Sequence, residues 1–203
     1  MSIENVSYYE DFNEIEKKLW ALLTRAVNDR GSEFRTPVFI CGDKNNLDGR
    51  VVVLRKADEK NTSLQFHSDI RSSKIDTIKK NSNSSLLFYG KKEKIQLRMK
   101  VESKLHYNDE ITKESWDKTG HISRKCYLVT NGPGTKSEKP TSGLDNKFDN
   151  FDFTKEESEE GYKNFCVIKC KIKSIEWLYL AAKGHRRALI EFEGSKRFSW
   201  LIP

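Results

Sequence analysis

No stretch of this chain comes near the ~18 consecutive apolar residues that a membrane-spanning helix requires, so no membrane partner is expected. The opening Met1-Ser2-Ile3-Glu4-Asn5 has neither the basic nor the apolar block of a secretory signal, and a cytoplasmic location is expected. Cysteine is sparse: Cys41, Cys126, Cys166 and Cys170 include no Cys-x-x-Cys pair. Cys166 and Cys170 share one face of a strand, as buried free thiols would. The four histidines show no ligand spacing, so no metal site is expected. Internal repeats and low-complexity tracts are absent too. The formal charge is +7, but 37 basic residues are interleaved with 30 acidic ones rather than gathered in an arm, which describes a solvated surface. Aromatic residues alternating with lysine on an open sheet would suit nucleic acid; only Tyr89 beside Lys91 and Lys92 hints at it, and no nucleic-acid partner is expected.

What is present fits one domain over residues 1–203, long enough to bury a core. Phe12, Ile15, Leu19, Leu22, Leu23 and Ala26 recur at helical spacing and predict an amphipathic helix over 10–29, ended by Asp29-Arg30-Gly31. Strand patterns follow at 36–41, 50–54, 63–67, 85–89 and 94–105, with hairpin chemistry in the first turns, and predict an antiparallel meander. A short helix around 74–80, capped by Asp69 or Ser72, interrupts it. Helical patterns return at 108–117 and 122–129. Residues 131–160 are expected as a long surface loop, and strands at 165–180, 187–193 and 197–202 close the chain. The fold class is α+β, mainly β: a small antiparallel barrel with an N-terminal helix and a few short helices.

The segment from Gly49 to Gln96 carries the chemistry. Arg50, Arg55 and Lys74, with hydroxyls at Ser68, Ser72 and Ser73 and the amide of Gln96, fall at the ends of apolar strands. Such a set suits a phosphorylated planar cofactor, the cations taking the phosphate and the amide a ring edge. Alternatively the two arginines protect an edge strand and Gln96 faces solvent. Arg50 and Arg55, an odd number of residues apart, face opposite sides of a regular strand, so a bulge, a strand end or side-chain reach must reconcile them.

These residues resemble the pyridoxamine 5'-phosphate oxidase-like flavoproteins with the FMN-binding split barrel, over roughly 35–110 and 165–203. Arg50-Val51-Val52-Val53-Leu54-Arg55 is similar to the family's Arg-x-Val-Leu-Leu-Lys, Ser72-Ser73-Lys74 to its Ser-Arg-Lys, and Gln96 to the glutamine of its Arg-Gln-Val. Glu176-Trp177 with His185 and Arg187 is similar to Glu-x-Trp and His-x-Arg, and Trp200-Leu201-Ile202-Pro203 to the closing Arg-Leu-x-Pro. The resemblance implies an FMN site formed by Arg50, Val51, Val52, Arg55, His67, Ser68, Ser72, Ser73, Lys74, Gln96, Trp177 and Arg187. It also implies a homodimer sharing two flavins, with Trp177 and Arg187 reaching the partner's cofactor, and hydride exchange between a small-molecule substrate and flavin N5. Lys183, His185 and Arg124 are the candidates for substrate contact. His67-Ser68 stands where the oxidases have Tyr-Thr, Ser73 where they have Arg, and Lys183 where their substrate pair has Arg. Ser123-Arg124-Lys125-Cys126-Tyr127 followed by Gly132-Pro133-Gly134 is closer to relatives known only as FMN-binding. A flavin-dependent oxidoreductase is the leading expectation, and a non-catalytic flavin protein for storage, sensing or stress the alternative.

Overall fold

The computed structural model describes residues 7–43, 46–148 and 153–203. Helix α1, Phe12–Asn28, starts where the Asp11 carboxylate accepts the Glu14 amide at 3.0 Å, and stops at Asp29. Its stripe Ile15, Leu19, Leu22, Leu23 and Ala26 is buried, as the periodicity requires. The strands are β1 (Val38–Gly42), β2 (Leu47–Val51), β3 (Leu54–Asp58), β4 (Ser63–Asp69), β5 (Asn83–Gly90), β6 (Ile95–His106), β7 (Phe165–Tyr179), β8 (Arg186–Glu191) and β9 (Arg197–Leu201). Between them lie α2 (Ser73–Lys80), α3 (Glu110–Asp117), α4 (His121–Arg124) and α5 (Lys155–Ser158).

All strand pairs are antiparallel, in the order β2-β1-β5-β6-β7-β4-β3, with β8 added to β7 and β9 to β8. Phe39, Leu54, Leu64, Phe66, Leu86, Phe88, Leu97, Met99 and Ile175 turn inward and pack with α1 into one core. The path ends on β2 and β3, consecutive in sequence but at opposite edges of the sheet, so the barrel is split between them.

Two sequence expectations are corrected here. The strands do not form a simple meander: β4 pairs with β7, about a hundred residues onward, and β1 with β5. The strand expected over Arg50–Leu54 is broken at Val52-Val53, where the Val52 amide turns to the Pro37 carbonyl (2.9 Å) and the chain crosses from β2 to β3. Arg50 and Arg55 therefore belong to different strands, β2 and β3.

Both faces of β4 and the start of β7 are covered. Leu64, Phe66 and Ile168 enter the main core, while Phe165 and Val167 enter a second cluster with Trp116 of α3 and Tyr127. In place of the helix expected over 122–129 stand α4 and a 3-10 turn at Lys125–Tyr127, which end short of Val129. Part of the expected surface loop 131–160 (149–152 lie outside the described residues) is built differently. Residues 133–142 are exposed, but Phe148 and Phe153 are buried against Leu128, and Thr154 and Glu157 form a capping box that starts α5.

Candidate functional site

At the split, where α2 begins, four of the expected residues converge. Ser68 lies on the inward face of β4, and the buried Lys74 ammonium donates to Ser68 Oγ at 2.8 Å and to Ser72 Oγ at 2.7 Å. Arg50 reaches Ser72 Oγ from β2 at 3.4 Å and pairs with Asp48. Ser72 occupies the N-cap of α2 without capping it by its side chain, because its hydroxyl is engaged by these two cations. Burial, and then the Arg50 charge, push the Lys74 pKa down. Arg50 Nε is buried and finds no hydrogen-bond partner among the described residues. Two cations, two hydroxyls and a helix N-terminus converge on one point, with Asp48 paired to Arg50, and such a donor set suits a phosphate monoester. The residues present thus fit the phosphate end of FMN.

Arg55 does not join this cluster. On β3 it lines a cleft of about 490 Å³ on the opposite face of β4, together with Lys56, His67, Lys118, Ser123 and Lys169. Register explains the separation, since His67 and Ser68 are neighbours on a strand and point to opposite faces. Arg55 Nε is likewise buried without a partner among the described residues. His67 packs edge-on to Phe165 (4.7 Å between centroids), and burial, then the Arg55 charge, depress its pKa to about 3. It is neutral throughout the physiological range and can offer a hydrogen bond but no charge.

A stability consequence follows from His67. The unfolded chain takes up a proton near pH 6.5 and the native state only near 3, so native stability declines as pH falls through that window. About 2 kcal/mol should be lost between pH 6.5 and 5. His67→Gln should flatten this part of the urea-denaturation pH profile; an unchanged slope would mean that His67 is not the group responsible.

The remaining expected residues are distributed. Gln96, Leu178 and Arg187 form one row across β6, β7 and β8 on the sheet's outer face. Arg187 and Arg98 both donate to Glu176 Oε1, at 2.9 and 3.0 Å. Trp177 points the other way: it is 1% exposed in the barrel core, 5.6 Å from the Tyr9 ring, so the expectation that it reaches a partner's cofactor is corrected. Val51 projects from the outer face opposite Val38, Val52 is buried in the core, and Ser73 is exposed on α2, so none of the three side chains enters the cation cluster. Lys183 and His185 stand in the exposed β7–β8 turn, where His185 Nδ1 accepts the Ala181 amide at 3.1 Å.

Arg124 is the clearest correction. Its side chain is fully buried, donating to the carbonyls of Thr119 (2.9 Å) and Trp116 (2.8 Å), to Ser158 Oγ and to Glu159, with its guanidinium 4.4 Å above the Trp116 ring. It joins α3, α4 and α5 and has no free face for a substrate. The sequence showed only its proximity to Ser123 and gave no sign of Glu159 as partner. Lys118 and Lys169 were missed as cleft residues because they lie on separate elements, fifty residues apart, with no local signature.

Residues 20–106 match the family described as "Pyridoxamine 5'-phosphate oxidase, FMN-binding domain". No curated protein sequence matches the chain. Among solved structures, it is similar to a pyridoxamine 5'-phosphate oxidase-related, FMN binding protein from Nostoc punctiforme, with TM-score 0.74 and 18% identity over 92% of this chain and 97% of that one. PhzG from Burkholderia lata, solved with tetrahydrophenazine-1-carboxylic acid, gives TM-score 0.70 and 12% identity over 100% and 99%. A Clostridium acetobutylicum protein related to general stress protein 26 gives 0.53 and 9% over 84% and 94%. These likenesses establish the split-barrel fold.

Proposed function

We propose that this chain, whose residues 20–106 match the pyridoxamine 5'-phosphate oxidase FMN-binding domain, is a distant relative of that family and an FMN-dependent oxidoreductase acting as a homodimer on a small anionic substrate. The observation that carries this reading is the convergence of Arg50, Ser68, Ser72 and Lys74 at the start of α2, where the buried Arg50 Nε has no hydrogen-bond partner among the described residues.

Arg50 and Lys74 hold the cofactor phosphate, with Ser68 and Ser72 fixing their direction. Bound there, the flavin supplies two-electron redox chemistry at N5. Gln96 presents an amide to a polar ring edge, and Arg187 a cation to the side of the ring that becomes negative on reduction. The adjoining cleft takes the substrate: Arg55 and Lys169 attract its acidic group, Lys118 being paired with Glu114 of the same cleft, and neutral His67 orients it by a hydrogen bond.

Sheet geometry supports a second copy. Ser68 pairs with Cys166 at one end of β7, while Lys183 and His185 follow Tyr179 at the other, about 40 Å of strand away at ~3.3 Å per residue. One flavin cannot meet both ends of one chain, so Gln96, Lys183, His185 and Arg187, which share the far end, serve the cofactor anchored by the other subunit. The outer face between these ends, where Val51 is 65% and Tyr89 50% exposed beside Leu87, Leu178 and Leu189, is the contact surface.

The test is anaerobic bleaching of bound flavin near 450 nm by pyridoxamine 5'-phosphate, reduced nicotinamides and other small anionic donors. At least one donor is expected to bleach it, more slowly in Arg55→Ala, with recovery on admitting oxygen. Tight flavin that no donor bleaches would favour a storage or sensing role instead.

A further inference from the structure

Arg71 immediately precedes Ser72, yet its guanidinium turns away from the phosphate cluster. Nε donates to Asp69 Oδ1 at 3.0 Å and NH2 to Oδ2 at 2.7 Å, while the Arg71 amide also donates to Oδ1 at 2.8 Å. The same guanidinium donates to the carbonyls of Thr130 and Val129, each at 3.1 Å. Beside it, the Ile70 amide donates to the Asn164 carbonyl (2.8 Å), and the Asn164 side chain donates to the Tyr127 carbonyl (2.8 Å). The turn that presents Ser72 and Lys74 is thereby bonded to residues 127–130. Beyond them, the Thr130 amide and hydroxyl both donate to the Gly143 carbonyl, and Leu128 packs with Leu144, Phe148 and Phe153.

We infer that Arg71 is a positioning residue: by tying the Asp69–Ser72 turn to Val129 and Thr130, it couples anion binding at Ser72 and Lys74 to the order of segment 130–148. The inference rests on the phosphate reading of that cluster. Coupling of this kind is reciprocal, so an anion that fixes the turn steadies the segment, and a loosened joint weakens the anion site. A planar five-donor fork is required, because lysine can hold the Asp69 carboxylate but cannot span two carbonyls at the same time.

Limited trypsin cleavage after the exposed Lys136 reads the segment, measured without ligand, with FMN and with inorganic phosphate. In the wild type FMN should slow cleavage at least fivefold and phosphate to a lesser degree. In Arg71→Ala that protection should vanish and FMN should bind roughly tenfold more weakly, the scale of a typical coupling. Arg71→Lys should not restore it, and decides the matter if the alanine variant fails to fold. If the wild type takes no FMN while phosphate still protects and the Arg71 variants abolish that protection, the flavin reading falls and the coupling stands. Wild-type cleavage that neither ligand slows would overturn the coupling, as would variants of lowered thermal stability whose ratio of cleavage with and without ligand is unchanged.

Discussion

Replacing Arg50 and Lys74 together by alanine should weaken FMN binding by two to four orders of magnitude while leaving the barrel folded. Each cation would make a charge-assisted contact to the phosphate, worth about 1.5–3 kcal/mol, and the pair together sets that range. Lys74 also orients Ser68 and Ser72, at 2.8 and 2.7 Å, so its loss frees two hydroxyls that otherwise point at the anion. Arg55→Ala is the informative control. The resemblance alone would put Arg55 on the phosphate, whereas the structure sets it on the opposite face of β4, in the cleft with His67. FMN affinity in Arg55→Ala should stay within a few-fold of wild type. Fluorescence titration of FMN into the three proteins separates the two placements, and an Arg55 effect as large as that of Lys74 would restore Arg55 to the phosphate.

Arg124→Met should cost about 3–5 kcal/mol of stability, the usual cost of breaking a buried, fully bonded charge pair. The variant leaves the Thr119 and Trp116 carbonyls and Ser158 without their donor, and it removes the guanidinium from the Trp116 face. Glu159, half exposed, regains water and softens the loss. In a chain of this length the thermal midpoint should drop by roughly 10 °C. Flavin affinity per folded molecule should change little, because no contact of Arg124 reaches Arg50, Lys74 or the row of Gln96. A variant of normal stability with impaired turnover would return Arg124 to the substrate.

Local signals proved sufficient for elements and insufficient for sides. The α1 stripe, the strand segments, and the serine and lysine at the start of α2 were legible because periodicity and capping chemistry are properties of neighbouring residues. The grouping of Ser68, Ser72 and Lys74 was equally legible, all three lying within seven residues of one strand–helix turn. Arg55 was set beside Arg50 by the resemblance alone, although alternation along one strand already parted their faces; the break at Val52-Val53 was not legible, because three valines in succession carry no breaker residue. Trp177 and Glu176 show the same limit from the other direction. Adjacent on β7, they occupy opposite faces, and which face is core depends on β6 and β8. The pairing of Arg124 with Glu159 spans thirty-five residues of irregular chain, where no periodicity operates.

The most direct test of the account is an absorption spectrum from 300 to 550 nm of the purified wild-type protein, incubated with FMN and passed through gel filtration. Flavin absorbance should co-elute with protein at dimer size, at about one flavin per chain. A colourless protein after filtration, at any size, would contradict it, for the cation cluster at the start of α2 would then serve some other anion.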